Sequence, residues 1–89
     1  MNNNIKICMP EYKNDILTLQ WEDNFSIKCE INTSNEVVIT ANSSGLVSLA
    51  RHLLTLAQQN VPENTHIHLD ENNSLENSSL DLIIAKCKD

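Results

Sequence analysis

The sequence has little glycine, few aromatic residues and few basic side chains. Gly45 is its single glycine, which excludes the glycine-rich loops that cradle phosphate groups. Six lysine and arginine residues stand against twelve acidic residues, for a net charge of −6. Phosphate and anionic lipid contacts need basic side chains, so direct binding to nucleic acid or to a membrane is not expected. The acidic balance fits a basic partner, or it simply keeps a small protein in solution.

Paired cysteines and long apolar runs are also missing. Cys8, Cys29 and Cys87 are far apart and no CxxC pair exists, so the usual zinc and redox spacings are absent. An odd cysteine count without a signal peptide predicts reduced thiols and a cytoplasmic protein. No stretch approaches the roughly 20 apolar residues of a membrane span. We expect no cofactor and no enzyme, with the three cysteines acting as small apolar residues within strands.

Eighty-nine residues allow a single domain, residues 1–89. Alternating or β-branched stretches predict six strands, at residues 5–9, 15–21, 25–32, 36–41, 65–69 and 80–87. The short polar turns between the first four favour antiparallel neighbours. The predicted fold class is therefore α+β: a mainly antiparallel five- or six-stranded sheet with one amphipathic helix packed on one face.

The predicted helix follows the fourth strand. Asn42, Ser43 and Ser44 can cap its start, and Pro62 predicts an end near residue 59 or 60. One side is apolar and is expected to pack on the sheet; its members are Leu46, Leu49, Ala50, Leu53, Leu56 and Ala57. The residues on the opposite side are Ser48, Arg51, His52, Thr55 and Gln59.

Two histidines mark the strand that follows the helix. His66 and His68 alternate with Ile67 and Leu69, so the aliphatic side chains should face the helix and the imidazoles the other way. Asp70 continues the histidine side. These groups can hold a metal ion or a small ligand if a further ligand arrives from elsewhere. They can equally be ordinary surface and hydrogen-bonding groups.

A polar loop, residues 70–79, separates the last two predicted strands. Leu75 is its only apolar residue, and we expect it to anchor the loop to the domain. Residues 61–79 contain no lysine or arginine, and their acidic members are Glu63, Asp70, Glu71 and Glu76. A loop of this length in so small a domain is either a binding surface or a segment that is tolerated without having a function. Carboxylates beside amides such as Asn73 can meet a basic cleft, where they speed encounter and set orientation.

Six motifs follow one another in the second half of the chain. They are Gly45-Leu46, Leu49 to Leu53 (Leu-Ala-Arg-His-Leu), Val61-Pro62, His66 to Asp70 (His-Ile-His-Leu-Asp), Asn73-Ser74-Leu75 and Leu82-Ile83-Ile84. Together they resemble a family of small bacterial immunity proteins from polymorphic toxin and contact-dependent growth inhibition systems. Asn64 stands where members of that family often carry glycine, and asparagine tolerates the left-handed backbone that glycine would supply.

The resemblance implies a cytoplasmic protein that binds a cognate toxin domain, commonly a nuclease, and blocks it. A nuclease cleft is basic because its substrate is a polyanion, so an acidic inhibitor suits it. The residues expected to contact the toxin are Glu63, His66, His68, Asp70, Glu71, Asn73 and Glu76. Either histidine can instead tie its strand to the loop through Asp70 or Asn73. Two other functions stay open: a metal- or small-ligand-binding module built on His66, His68 and Asp70, and a homo-oligomer that pairs through an edge strand.

Overall fold

One helix and two short antiparallel sheets make up the fold of the residues that the structure describes. The computed structural model describes residue 4 and residues 6–89. The elements are β1 (Ile27–Ile31), β2 (Val37–Ala41), α1 (Ser43–Leu56), β3 (His66–Leu69) and β4 (Leu82–Ala85). β1 pairs with β2, and β3 pairs with β4. The α+β class and the antiparallel pairing are as predicted, but the single sheet of five or six strands is wrong.

The first two predicted strands, residues 5–9 and 15–21, do not form over the part of them that the structure describes. Residue 5 lies outside the described residues, and the described remainder of both stretches contains no strand. Asn14 and Asp15 adopt positive φ angles of 54° and 59°. The second stretch therefore begins inside a tight turn, in backbone that asparagine and aspartate tolerate and a strand cannot use.

The N-terminal segment is hydrogen-bonded by side chains of α1 and of the turn that follows it, and not by a neighbouring strand. The Gln58 amide donates from Nε2 to the Pro10 carbonyl (2.9 Å), and its Oε1 accepts the Tyr12 N–H (3.0 Å). Arg51 donates from Nε to the Cys8 carbonyl at 3.0 Å. These bonds satisfy backbone groups that a sheet would otherwise pair, so the segment runs beside α1 as irregular chain.

The long polar loop is part of the sheet architecture. The Glu76 N–H donates to the Ile27 carbonyl (2.9 Å), and the Leu80 N–H donates to the Cys29 carbonyl (2.7 Å). Leu75 is 5% exposed and belongs to the hydrophobic core, so its predicted anchoring role is confirmed. The loop covers the outer edge of β1 and joins the two sheets.

α1 starts as predicted and ends a turn early. Asn42 is the N-cap residue, and its Oδ1 accepts the Gly45 N–H at 2.8 Å. The last helical residue is Leu56. There the Gln58 side chain donates from Nε2 to the Thr55 carbonyl at 2.8 Å, which satisfies a carbonyl that a longer helix would bond internally.

α1 is rotated relative to the prediction, so that only part of the predicted apolar side faces the domain: Leu56 is buried and Leu49 packs against the core. The buried helix residues are Gly45, Ser48, His52, Thr55 and Leu56. Leu46 and Leu53 belong to the predicted core side, yet they are 56% and 49% exposed. The helix therefore turns small and polar side chains inward and leaves much of its apolar side open.

Close contact between helix and chain sets this rotation. A Cβ atom on Gly45 would lie 2.5 Å from the Ser26 carbonyl oxygen and 2.9 Å from Ile27 Cγ1, so only glycine permits the approach. One turn later, Ser48 Oγ accepts the Glu22 N–H at 2.9 Å. A leucine side chain is too large for the narrow space at Gly45 and Ser48, so the helix packs through these two positions and Leu46 and Leu53 are left exposed.

One hydrophobic core joins both sheets, the loop and the helix. Its buried centre consists of Ile27, Cys29, Leu69 and Leu75. Cys29 is 2% exposed and acts as a core residue, as predicted. Cys8 and Cys87 are exposed, so the same prediction is wrong for them. Within the described residues, no helix has both the length and the apolarity needed to cross a membrane.

Candidate functional site

The strand pair β3–β4 presents one open face. We call it the histidine face, and its members are His66, His68, Ile83 and Ala85. His66 lies opposite Ala85 and His68 opposite Ile83, so all four side chains share one side of the pair. All four residues are exposed. Ile67 and Leu69 are buried on the other side, which confirms the predicted orientation of this strand.

His68 has two carboxylates beside it. Its Nε2 lies 3.0 Å from Asp81 Oδ2 and 3.8 Å from Asp70 Oδ2. Continuing the β3–β4 register by one residue places Asp81 opposite Asp70. Asp81 is 13 residues from His68 in sequence, and sequence reasoning missed it because only the strand register brings it there. His66 lies apart from this group, with its Nδ1 3.3 Å from the Asn64 carbonyl oxygen.

The group around His68 can act in two chemical ways. Ligand atoms of His68, Asp70 and Asp81 lie within 4.8 Å of one another, and one imidazole with two carboxylates is a donor set that zinc accepts. The same atoms already form a hydrogen bond, with the His68 ring nitrogen donating to Asp81. This set differs from the predicted one of His66, His68 and Asp70, because Asp81 takes the place of His66 as the third possible ligand.

Asp70 and Asn73 shape the loop that follows β3. Asp70 Oδ1 accepts the N–H groups of Asn72 and Asn73 at 2.9 and 3.1 Å, and Asn73 Oδ1 accepts the Asp70 N–H at 2.9 Å. Asn73 also donates from Nδ2 to the His68 carbonyl at 2.9 Å. The loop is therefore tied to the histidine strand through Asn73, by way of the strand's backbone rather than an imidazole.

The three glutamates of the predicted site lie in different places. Glu71 Oε2 accepts the Ser78 N–H at 2.9 Å, which closes the loop on itself. Glu76 lines a groove of about 570 Å³ between the loop and the outer face of β1–β2. Glu63 is exposed in the turn before β3. The seven predicted residues therefore share no single surface, and only the two histidines and Asp70 lie at the histidine face.

His52 is a buried residue whose position sequence reasoning missed. It is fully buried, and neither ring nitrogen has a hydrogen-bond partner among the described residues. The Trp21 ring meets it edge-on, with centroids 4.2 Å apart. Burial, and then the charge of Arg51, lowers the pKa of His52 from 6.5 to about 4. It is therefore a neutral core residue. Its burial could have been predicted from the helical spacing of Gly45, Ser48 and His52, which places it on the same side of α1 as two small residues that permit close packing.

Comparison with known families identifies the chain. The family described as Immunity protein 32 matches residues 36–87, which is more than half of the sequence. The chain belongs to the immunity protein 32 family. No curated protein and no solved structure matches it significantly. Membership of an immunity protein family points to a toxin-neutralising role.

The immunity protein 32 match covers the elements that carry the candidate site. Residues 36–87 include β2, α1, β3, the polar loop and β4. β1 lies outside the matched segment, although Ile27 and Cys29 supply half of the buried core centre. The family region therefore depends on the preceding strand for its packing.

Proposed function

We propose that this chain binds a cognate toxin domain in the cytoplasm and neutralises it by covering its active cleft, and that the toxin is a nuclease. Membership of the immunity protein 32 family is the observation that carries the proposal. The net charge of −6 supports it, because a nuclease cleft must attract a polyanion and will also attract an acidic protein. The chain supplies a binding surface and no chemistry.

The histidine face and its surroundings form the proposed contact surface. Ile83 is 58% exposed and lies opposite His68, with Asp81 two residues before it on the same side of the strand pair. An apolar residue with polar neighbours is an arrangement typical of protein interfaces. The proposed contact residues at this face are His66, His68, Asp70, Asp81 and Ile83. The other predicted contacts, Glu63, Glu71, Asn73 and Glu76, lie outside it, in the turn before β3 and in the polar loop, and are proposed to contact the partner from there.

These residues contribute in two ways. His66, His68 and Ile83 offer exposed side chains to a partner directly. Asp70 and Asn73 are occupied by hydrogen bonds within the loop, so they act mainly by holding its shape. The carboxylates steer encounter with a basic partner, and association should slow as ionic strength rises.

Isothermal titration against the purified polypeptide encoded immediately upstream tests the proposal. We expect binding, and we expect the chain to suppress digestion of plasmid DNA or RNA by that polypeptide at equimolar ratio. Ile83→Lys should weaken binding by roughly tenfold or more, because it buries a charge at the interface centre. Leu53→Lys is the matched control, since it adds the same charge at a similarly exposed site on α1.

Different outcomes count against different parts of the proposal. Absence of binding overturns the inhibitory role itself. Binding without suppressed digestion of either nucleic acid removes the nuclease assignment. Equal weakening by both lysine variants moves the contact surface away from the histidine face.

A second candidate function is divalent metal binding at His68, Asp70 and Asp81, favoured by their three converging ligand atoms. Equilibrium dialysis with zinc, followed by metal analysis, tests it. Retention of one zinc per chain that Asp81→Asn abolishes and His66→Ala preserves would support the site. No retained zinc at micromolar protein removes this candidate.

A further inference from the structure

The open edges of the strands are protected unequally. On the outer edge of β1, the Cys29 carbonyl accepts the Leu80 N–H at 2.7 Å. On the outer edge of β3, the His68 carbonyl accepts the Asn73 side chain at 2.9 Å. β4 has β3 on one side only, and no hydrogen bond within residues 4 and 6–89 reaches its other edge, which is four residues long. The same holds for β2, which has β1 on one side only. The open edge of β2 is five residues long.

The register identifies the free backbone groups of β2. Across β1–β2, the Asn42 N–H donates to the Ser26 carbonyl and the Asn32 N–H donates to the Glu36 carbonyl. In an antiparallel pair, residues that bond across alternate with residues whose N–H and C=O point away. The residues of β2 that point away from β1 are Val37, Ile39 and Ala41. They provide three donors and three acceptors in a row.

The side chains beside this edge are apolar and exposed. Val37 is 65% exposed and Ile39 is 42% exposed, and Ile31, which lies opposite Val37, is 52% exposed. β2 contains no charged residue and no proline. Native proteins usually protect an edge with charge, proline, a bulge or a cover, and within the described residues this edge has none of them.

We propose that a second copy of this chain covers the β2 edge, with the two β2 strands pairing antiparallel about a two-fold axis at Ile39. Ile39 of one copy then meets Ile39 of the other, and Val37 meets Ala41. The pairing is self-complementary, because each meeting residue carries one free donor and one free acceptor. The two-stranded sheet of each copy becomes half of a four-stranded sheet.

The absence of charge on β2 fits a second copy as the occupant. Two chains of net charge −6 repel each other wherever acidic surfaces meet. β2 lets them join without placing any charged side chain of one strand against the other, because all five of its residues are uncharged. A basic partner would find no carboxylate on this strand.

Light scattering coupled to gel filtration, over a wide concentration range, tests the proposal. We expect the wild-type chain to reach twice its 10.0 kDa mass. Val37→Lys should raise the dimer dissociation constant by about tenfold or more, because it buries a charge at the edge. Ile39→Pro should abolish the dimer, since it removes an outward N–H without removing a bond to β1. Leu53→Lys, which adds a charge on α1, should remain dimeric, and circular dichroism should show all variants folded.

Amide hydrogen exchange supplies a second readout that a different interface would not reproduce. The amides of Val37, Ile39 and Ala41 should gain protection as the wild-type concentration rises, and should not do so in Val37→Lys. The amides of Val38 and Thr40 should be protected throughout, because they bond to β1. A wild-type mass of 10.0 kDa at every concentration overturns the proposal. So does a dimer that both edge variants retain, or one that Leu53→Lys disrupts equally.

Discussion

The two sides of α1 differ in a way that is unusual for a helix packed on a domain. The side facing the domain carries Gly45, Ser48 and His52, whereas Leu46 and Leu53 on the other side are about half exposed. Burial of a helix normally follows apolar area, which would have favoured the leucines. Here the buried side is the one whose small residues let the helix approach the chain closely. How closely α1 can approach the rest of the chain therefore decides which of its sides is buried at the start of the helix.

The polar groups on the buried side are unequally satisfied. Ser48 accepts the Glu22 N–H, and Thr55 Oγ1 donates to the Arg51 carbonyl at 2.7 Å, so both hydroxyls keep a partner. His52 has none among the described residues. Unpaired buried nitrogens are costly, and this histidine is the weak point of the closely packed side.

The largest effect expected from this side is acid sensitivity caused by His52. Its pKa is about 4 in the folded chain and 6.5 when unfolded, so the unfolded state binds more protons between those values. The free energy of unfolding should therefore fall by about 3 kcal/mol from this group as pH drops from 6.5 to 4. Urea unfolding at several pH values measures it. His52→Leu should remove this part of the pH dependence.

His66→Leu is the matched control for that titration. His66 is exposed on β3, so its loss should leave the acid-dependent decrease intact. Only the difference between the pH profiles of wild type and His52→Leu isolates the contribution of His52. Identical pH profiles for wild type and His52→Leu would contradict the prediction.

The second largest effect on the free energy of unfolding is expected from the substitution Gly45→Ala. Helix propensity alone favours alanine by about 1 kcal/mol. The added Cβ would meet the Ser26 backbone oxygen at 2.5 Å, however, so we expect a net loss of about 2 kcal/mol in the free energy of unfolding. Chemical denaturation measures it, with Ser43→Ala at the exposed helix start as the control. A stabilised Gly45→Ala protein would show that close approach does not determine the helix orientation.

The smallest effect is expected from a substitution on the exposed side of α1, Leu53→Ala, and it is compared with the same substitution at the buried Leu56. Leu56→Ala should cost about 2 kcal/mol, because Leu56 is 4% exposed and its loss leaves a cavity. Leu53→Ala should change the free energy of unfolding by roughly 0.5 kcal/mol or less, since Leu53 is already 49% in solvent. Thermal unfolding of the two variants side by side compares them directly. Equal costs would mean that the two sides of α1 are buried alike in solution.

Much of the local structure could be predicted because it depends on neighbouring residues. All four observed strands lie within predicted ones, and the Asn42 cap forms. Asn64 adopts φ 72°, the left-handed geometry expected at its position. Leu75 anchors the loop, and the histidines of β3 face outward. Periodicity, capping and turn chemistry act over a few residues, so these features can be recognised without knowing the rest of the fold.

The candidate site could be predicted only in part. The sequence placed His66, His68 and Asp70 on one side of a strand, and the structure keeps that alternation. Asp81 joins His68 through strand register, and Glu76 lies in a separate groove beside β1. Both placements depend on contacts between residues distant in sequence, which a local pattern does not contain.

The sequence by itself determined the helix, the strands of the second half, the acidic character and the motifs that resemble an immunity protein. Tertiary structure alone decided that the strands divide into two pairs, that the loop covers β1, and that α1 turns its small residues inward. The physical reason is the range of the interactions. Local hydrogen bonds and side-chain periodicity choose an element, whereas a single close contact such as that of Gly45 with Ser26 chooses which of its sides is buried.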